Sequence, residues 1–123
     1  MKEKEIEACD FLRMFVAISY SSEQVFFNFV DLTGYLFGRY VVEEDVYNQL
    51  EDALDNMIDD GKITKVEGCD NLYHINHNYD YIRTIKENRE YLNDMIHFFK
   101  SYYDRSNKLA NIRIVENKIE VIK

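Results

Sequence analysis

The sequence predicts a mainly helical α+β fold with small β-hairpins, and three observations carry that expectation. Between Val46 and Ile58 apolar residues recur at steps of three and four, then Gly61 intervenes and two short β-type runs follow. A second helical period runs through Tyr81, Ile85, Asn88, Leu92, Met95, Phe99 and Tyr102. The stretch from Ile112 to Ile122 is rich in β-branched residues on both sides of Glu116-Asn117. Periods of 3.6 and 2 are the primary signals for helix and strand. At 123 residues the chain has material for one core. The expected organisation is a single domain over 1–123, with a core unit in 1–75, a long helix in 76–105 and a terminal hairpin in 106–123.

The elements follow in order. Residues 3–19 predict a first helix: Ala8, Phe11, Leu12, Phe15 and Ile18 form an apolar stripe, and Glu3, Glu5 and Glu7 suit the positive end of the helix dipole. Tyr20-Ser21-Ser22-Glu23-Gln24-Val25 reads as a helix start, with Ser21 as cap, Gln24 reaching back and Tyr20 stapled onto Val25. A second helix is therefore expected over 22–37, although Val25–Val30 is aromatic and β-branched enough to be a buried strand. Gly38-Arg39-Tyr40-Val41 is the expected turn into the next helix, over 43–60.

In that helix Val46, Leu50, Ala53, Leu54, Met57 and Ile58 share a face. Gly61 stands where a left-handed C-cap is wanted. Ile63–Val66 and Leu72–Ile75 are strands around the turn-rich Glu67-Gly68-Cys69-Asp70-Asn71. Asn78 is the expected cap of one long helix over 79–105, where Ile85, Asn88, Leu92, Met95, Phe99 and Tyr102 form a heptad seam with Asn88 as its polar position. A second stripe, Ile82, Ile96, Phe98 and Tyr103, widens the apolar surface. Such a helix either packs on its own domain or pairs with a second copy, and a homodimer through these residues is expected. The terminal hairpin must pack on the domain, join the other sheet or pair with another chain, because an isolated hairpin is marginal in water.

The segment from Val42 to Ile75 resembles the second half of a winged helix-turn-helix domain: a recognition helix, a hinge at Asp59-Asp60-Gly61-Lys62-Ile63, then the wing. The resemblance implies a winged-helix-like fold over 22–75. It also implies DNA binding as one function, with contacts from Lys62 and Lys65 at the wing and Arg39 in the turn. Dimerisation through helices flanking the wing is a further implication.

Charge argues for a different use. Glu43, Glu44, Asp45, Glu51, Asp52, Asp55, Asp59 and Asp60 lie in the 43–60 segment, which holds no Lys or Arg, while the whole chain carries −8. A helix in the major groove lies among phosphates and needs cations or amides there. The face opposite the apolar stripe offers Asp45, Asn48, Gln49, Asp52, Asn56 and Asp59. Three readings of it are a solvated acidic surface, a binding surface for a basic protein with Asp45, Asn48, Gln49, Asp52 and Asp59 as contacts, and direct DNA reading in which the amides meet adenine while the carboxylates repel the phosphates. The net charge disfavours an extensive nucleic-acid or anionic-membrane surface. From Arg83 onward nine basic and six acidic residues make the end of the chain mildly basic.

Chemistry-bearing motifs are scarce. Cys9 and Cys69 are too few for a disulfide framework; Cys9 is expected as a small core hydrophobe and Cys69 at the wing tip. Cys69, His74 and His77 have the spacing C-x4-H-x2-H, too loose to predict a zinc site without a fourth ligand. His97 reads as a surface or partly buried residue of the long helix. No Gly-rich phosphate loop or nucleophile motif is present. The expectation is a non-enzymatic, cytoplasmic protein with no cofactor and no metal. The charged N-terminal segment does not read as a signal peptide, and no apolar run reaches membrane-spanning length. By analogy of charge, it resembles small acidic inhibitors, encoded by phages or mobile elements, that occlude basic nucleic-acid-binding surfaces. A winged helix-turn-helix transcriptional regulator is the alternative.

Overall fold

The computed structural model describes residues 7–39, 45–77, 80–105, 111–115 and 118–122. The elements are α1 (Ala8–Ser21), β1 (Phe26–Asn28), α2 (Phe29–Arg39), α3 (Val46–Asp59), β2 (Ile63–Lys65), β3 (Leu72–Ile75), α4 (Tyr81–Glu87), a 3-10 turn (Arg89–Tyr91), α5 (Leu92–Arg105), β4 (Asn111–Val115) and β5 (Lys118–Ile122). This is an α+β arrangement with more helix than strand. Among the described residues no helix is long and apolar enough to cross a membrane.

α1 sits at the centre. Its expected stripe is buried, and so are Met14, Val16, Ala17 and Ser19. A helix apolar on nearly all sides belongs inside a domain rather than on its surface. α3, α4, α5 and β5 all lie against it. Phe15 is the hub: the rings of Phe27, Phe98, Phe99, Tyr102 and Tyr103 lie 5.1–6.1 Å from its own. Three of these contacts are edge-to-face and Tyr103 stacks, the geometries aromatic quadrupoles favour.

The expected second helix over 22–37 is corrected. Ser21 caps no new helix; it is the last residue of α1, and its hydroxyl donates to the Ile18 carbonyl at 2.9 Å. The N–H of Glu23 bonds the Tyr20 carbonyl and that of Gln24 bonds the Ser19 carbonyl. This is a Schellman stop with Glu23, at φ 64, in the place glycine usually takes. Tyr20 does not staple Val25. Its hydroxyl donates to the His77 carbonyl at 2.7 Å and its ring meets Tyr81. The aromatic stretch after the stop becomes β1, as the strand reading allowed. The helix then starts at Phe29, where Asn28 Oδ1 accepts the Asp31 N–H at 2.9 Å. Gly38 lies inside α2, and Tyr40–Val41 lie outside the described residues.

β1, β3 and β2 form an antiparallel sheet in that order, with Phe27 opposite Tyr73 and Thr64 opposite His74. β1 is an edge strand, and α5 covers its free side. Tyr102 Oη donates to the Asn28 carbonyl at 3.1 Å and accepts the Asn28 N–H at 3.3 Å, while Tyr103 Oη donates to the Phe26 carbonyl at 3.1 Å. Two phenols thus stand in for a neighbouring strand, one way of closing a sheet edge to unwanted pairing. Burial pushes the Tyr102 phenol from its ordinary 10.0 up to about 12, partly offset by its bond to Asn28 and raised further by the charge of Asp31. Tyr103 rises for the same first reason.

The single helix over 79–105 is also corrected. Asn88 breaks it: its Nδ2 takes the Thr84 carbonyl at 2.9 Å, the acceptor its own backbone N–H would use in a continuous helix. That N–H turns instead to Ile85, and the 3-10 turn follows. Asn78 lies outside the described residues; Asp80 caps α4 by accepting the Arg83 N–H. Ile85, Leu92, Met95, Phe99 and Tyr102 are buried in the chain's own core and Asn88 is half-buried. The seam is therefore filled within one chain, and Asn88 ends a helix rather than setting a register between two. Ile96, Phe98 and Tyr103 are buried with it, whereas Ile82 stays exposed. β4 and β5 form the expected terminal hairpin as a separate two-stranded sheet, with β4 against α5 and β5 against α1.

Three outcomes follow from this packing. Phe15→Ala is expected to cost about 3–5 kcal/mol, as large aromatic truncations do, measured by urea denaturation. Leu92→Glu is expected to unfold the chain rather than split a dimer, because it buries a carboxylate without a partner; circular dichroism and light scattering separate the two. Above pH about 10 the unfolded phenols ionise while Tyr102 and Tyr103 resist, so the folded state holds more protons and stability falls as pH rises from about 10 through 12. Tyr102→Phe with Tyr103→Phe is expected to flatten that fall in denaturation curves recorded across the window.

Candidate functional site

α3 carries the acidic segment at the surface, and its local chemistry explains how. Leu50, Ala53, Leu54 and Met57 are buried, with Val46 and Ile58 half-buried beside them. That stripe packs on α1 and fixes the rotation of the helix. The helix ends as its sequence leads one to expect: the N–H of Gly61 bonds the Ile58 carbonyl at 3.0 Å and that of Lys62 bonds the Met57 carbonyl at 2.9 Å, with Gly61 at φ 73.

With the apolar stripe turned inward, Asp45, Asn48, Gln49, Asp52, Asn56 and Asp59 are all exposed, as expected. Glu51, Asp55 and Asp60 are exposed too, while Glu43 and Glu44 lie outside the described residues. Gln49 Nε2 donates to Asp45 Oδ2 at 3.1 Å, one turn along the helix. Lys62 Nζ, half-buried, lies 3.9 Å from the exposed Asp60, a surface pair of small energetic weight. Lys65 is exposed on β2, opposite Tyr73. Arg39 is the last residue of α2, and its side chain lies outside the described part.

The charge placement does not serve helix stability. The first turn of α3 holds no acid and the last turn no base. Asp55, Asp59 and Asp60 crowd the negative end of the dipole, each unfavourable by about 0.3–1 kcal/mol at a surface. Glu51–Asp55 and Asp55–Asp59 are like-charge pairs one turn apart, each a few tenths of a kcal/mol unfavourable. Asp45, the N-cap residue, suits the positive end of the dipole, so the unfavourable placement is that of the acids toward the other end.

One part of this surface was missed by the sequence reading. Tyr47, Glu51 and Asp55 are one turn apart in succession, so they line one rim of α3. Tyr47 and Phe37 are each 39% exposed, their ring centres 6.1 Å apart and tilted 48°. Phe29 backs Tyr47 from the core at 6.1 Å. Tyr73, buried on β3, senses this rim: its phenol is pushed up first by burial and then by the charges of Asp55 and Glu51 and by Tyr47. The i, i+4, i+8 spacing was visible; the aromatic neighbours from α2 and β3 were not.

Other reactive groups offer less. Cys69 is exposed in the β2–β3 turn, and His74 is half-buried with Nδ1 3.3 Å from Asn76 Oδ1. Among the described residues the ligand atoms that gather within 4.8 Å belong to Glu7, Cys9 and Asp10 rather than to Cys69, His74 and His77. Cys9 is half-buried rather than a full core residue, its thiol 3.8 Å from Glu7 and 3.9 Å from Asp10. Burial, then Asp10, push that thiol up, with Arg13 opposing, so it is a poor nucleophile. No family model, curated protein or solved structure matches the chain.

Asp52→Lys with Asp59→Lys is expected to leave unfolding free energy within about 0.5 kcal/mol of the unmodified chain, as exposed changes do, or to raise it slightly by relieving repulsion. Gly61→Ala is expected to cost about 1–2 kcal/mol, because a Cβ is strained at that positive φ although the space around it is open. Urea denaturation checks both.

Proposed function

We propose that the chain is a non-enzymatic, winged-helix-like protein whose α3 face binds a basic surface of another protein. The order α1-β1-α2-α3-β2-β3 with sheet order β1-β3-β2 supports the winged-helix comparison. In that comparison α3 takes the place of the recognition helix and the β2–β3 hairpin that of the wing. The observation that carries the functional reading is the charge of α3: its exposed face holds Asp45, Glu51, Asp52, Asp55 and Asp59, and no cation lies between 43 and 60. Carboxylates steer a cationic partner toward the face, and Asn48 and Gln49 supply directional contacts. A partner that itself binds nucleic acid would be occluded by such a surface, the action of a small acidic inhibitor.

The second reading is a DNA-binding regulator, favoured by the element order. It would rest on Lys65, on Arg39, and on Lys62 once released from Asp60. Against it, phosphates would meet carboxylates along the whole outer face of α3. A homodimer under either reading would need surface outside the seam that the core already fills.

The experiment captures partners from the source cell, then compares the unmodified chain with Asp52→Lys/Asp59→Lys. The expected result is partner binding lost by the double reversal and mixed-sequence duplex binding strengthened by it, at two salt concentrations. Tight, sequence-specific duplex binding by the unmodified chain at physiological salt would overturn the proposal in favour of the regulator.

A further inference from the structure

Resting on the reading of α3 as a protein-binding face, we infer that the corner formed by Phe37, Tyr47, Glu51 and Asp55 anchors an arginine side chain presented by a basic segment of the partner. Two large rings, Phe37 and Tyr47, are each left 39% exposed with centres 6.1 Å apart, whereas most other described aromatics are buried, Phe26 being exposed and Tyr20, Tyr81 and Tyr91 half-buried. The rings are tilted 48° to each other, and the carboxylates of Glu51 and Asp55 follow one and two turns along the helix from Tyr47. A ring face attracts a cation and a neighbouring carboxylate fixes it.

Arginine fits this corner better than lysine. Its planar guanidinium stacks on Tyr47 or Phe37 while its N–H fork reaches a carboxylate, whereas an ammonium is a compact, strongly hydrated point charge. Among the chain's own cations, Lys62 Nζ lies 3.9 Å from Asp60, and Lys65 stands directly opposite Tyr73 on the same face of the sheet. The corner differs from the crest of Asp45, Asp52 and Asp59, where charge alone is on offer. Hot spots cluster where aromatic area meets a desolvated charge, with exposed charges around them contributing mainly steering.

The test titrates the whole chain with deca-arginine and deca-lysine at physiological salt, followed by backbone and aromatic NMR shifts. Shifts centred on Phe37, Tyr47, Glu51, Asp55 and Tyr73 are expected, with deca-arginine the tighter ligand. Tyr47→Ala is expected to weaken deca-arginine about five-fold or more, and Tyr47→Phe to retain it, since the ring carries the attraction. Asp52→Asn with Asp59→Asn is expected to weaken both peptides to a small and equal degree. Thermal unfolding of each variant reports whether the fold is intact, and Glu51→Gln with Asp55→Asn repeats the test without touching a ring. Shifts centred on Asp45, Asp52 and Asp59 that Tyr47→Ala leaves unchanged would overturn the inference, as would no binding of deca-arginine. The broader proposal stands or falls separately, on whether Asp52→Lys/Asp59→Lys abolishes binding of the captured partner.

Discussion

The structure depends on the burial of α1. Phe15 gathers rings from β1 and α5 around it, and the flanks of the same helix receive α3 and α4. Packing of this density has little tolerance for lost volume, so the orientation of each surrounding helix is fixed by its contact with α1. The functional consequence lies on α3. Because Leu50, Leu54 and Met57 must face the core, the carboxylates have no direction left but solvent.

The same centre explains two features of the edges. α5 lies close enough for Tyr102 and Tyr103 both to pack on Phe15 and to satisfy the free edge of β1. Each phenol has an apolar body for the core and a polar tip for the strand. The break at Asn88 lets α4 and α5 each meet α1, where the heptad pattern had suggested a continuous helix. The apolar seam that looked like a dimer contact is the inner lining of one chain.

What the sequence made legible follows from the range of each signal. α3, its glycine stop, the β2–β3 hairpin and the terminal hairpin rest on periodicity and turn residues within a few positions, and they appear where expected. The missed features depend on side chains acting out of type or on distant partners. Glu23 takes a left-handed C-cap without being glycine, so the stop of α1 read as the start of a new helix and β1 was absorbed into it. Asn88 fits a coiled-coil position by spacing, yet its amide competes for a backbone carbonyl. For the site, the outward face of α3 was readable from apolar spacing. The corner at Tyr47 was not, because Phe37 and Tyr73 reach it only through the tertiary fold.

We propose that α1 holds out α3 as a contact surface for a cationic protein. Toward the negative end of this helix Asp55 and Asp59 oppose its dipole and each other, while its buried stripe carries the stability. Amide hydrogen exchange of the chain, free and bound to its captured partner, tests the claim most directly. The account expects added protection in α3 and at the end of α2, with α5 unchanged because α1 and the core already protect it. Protection centred on the β2–β3 turn and α4, with α3 exchanging as in the free chain, would contradict it.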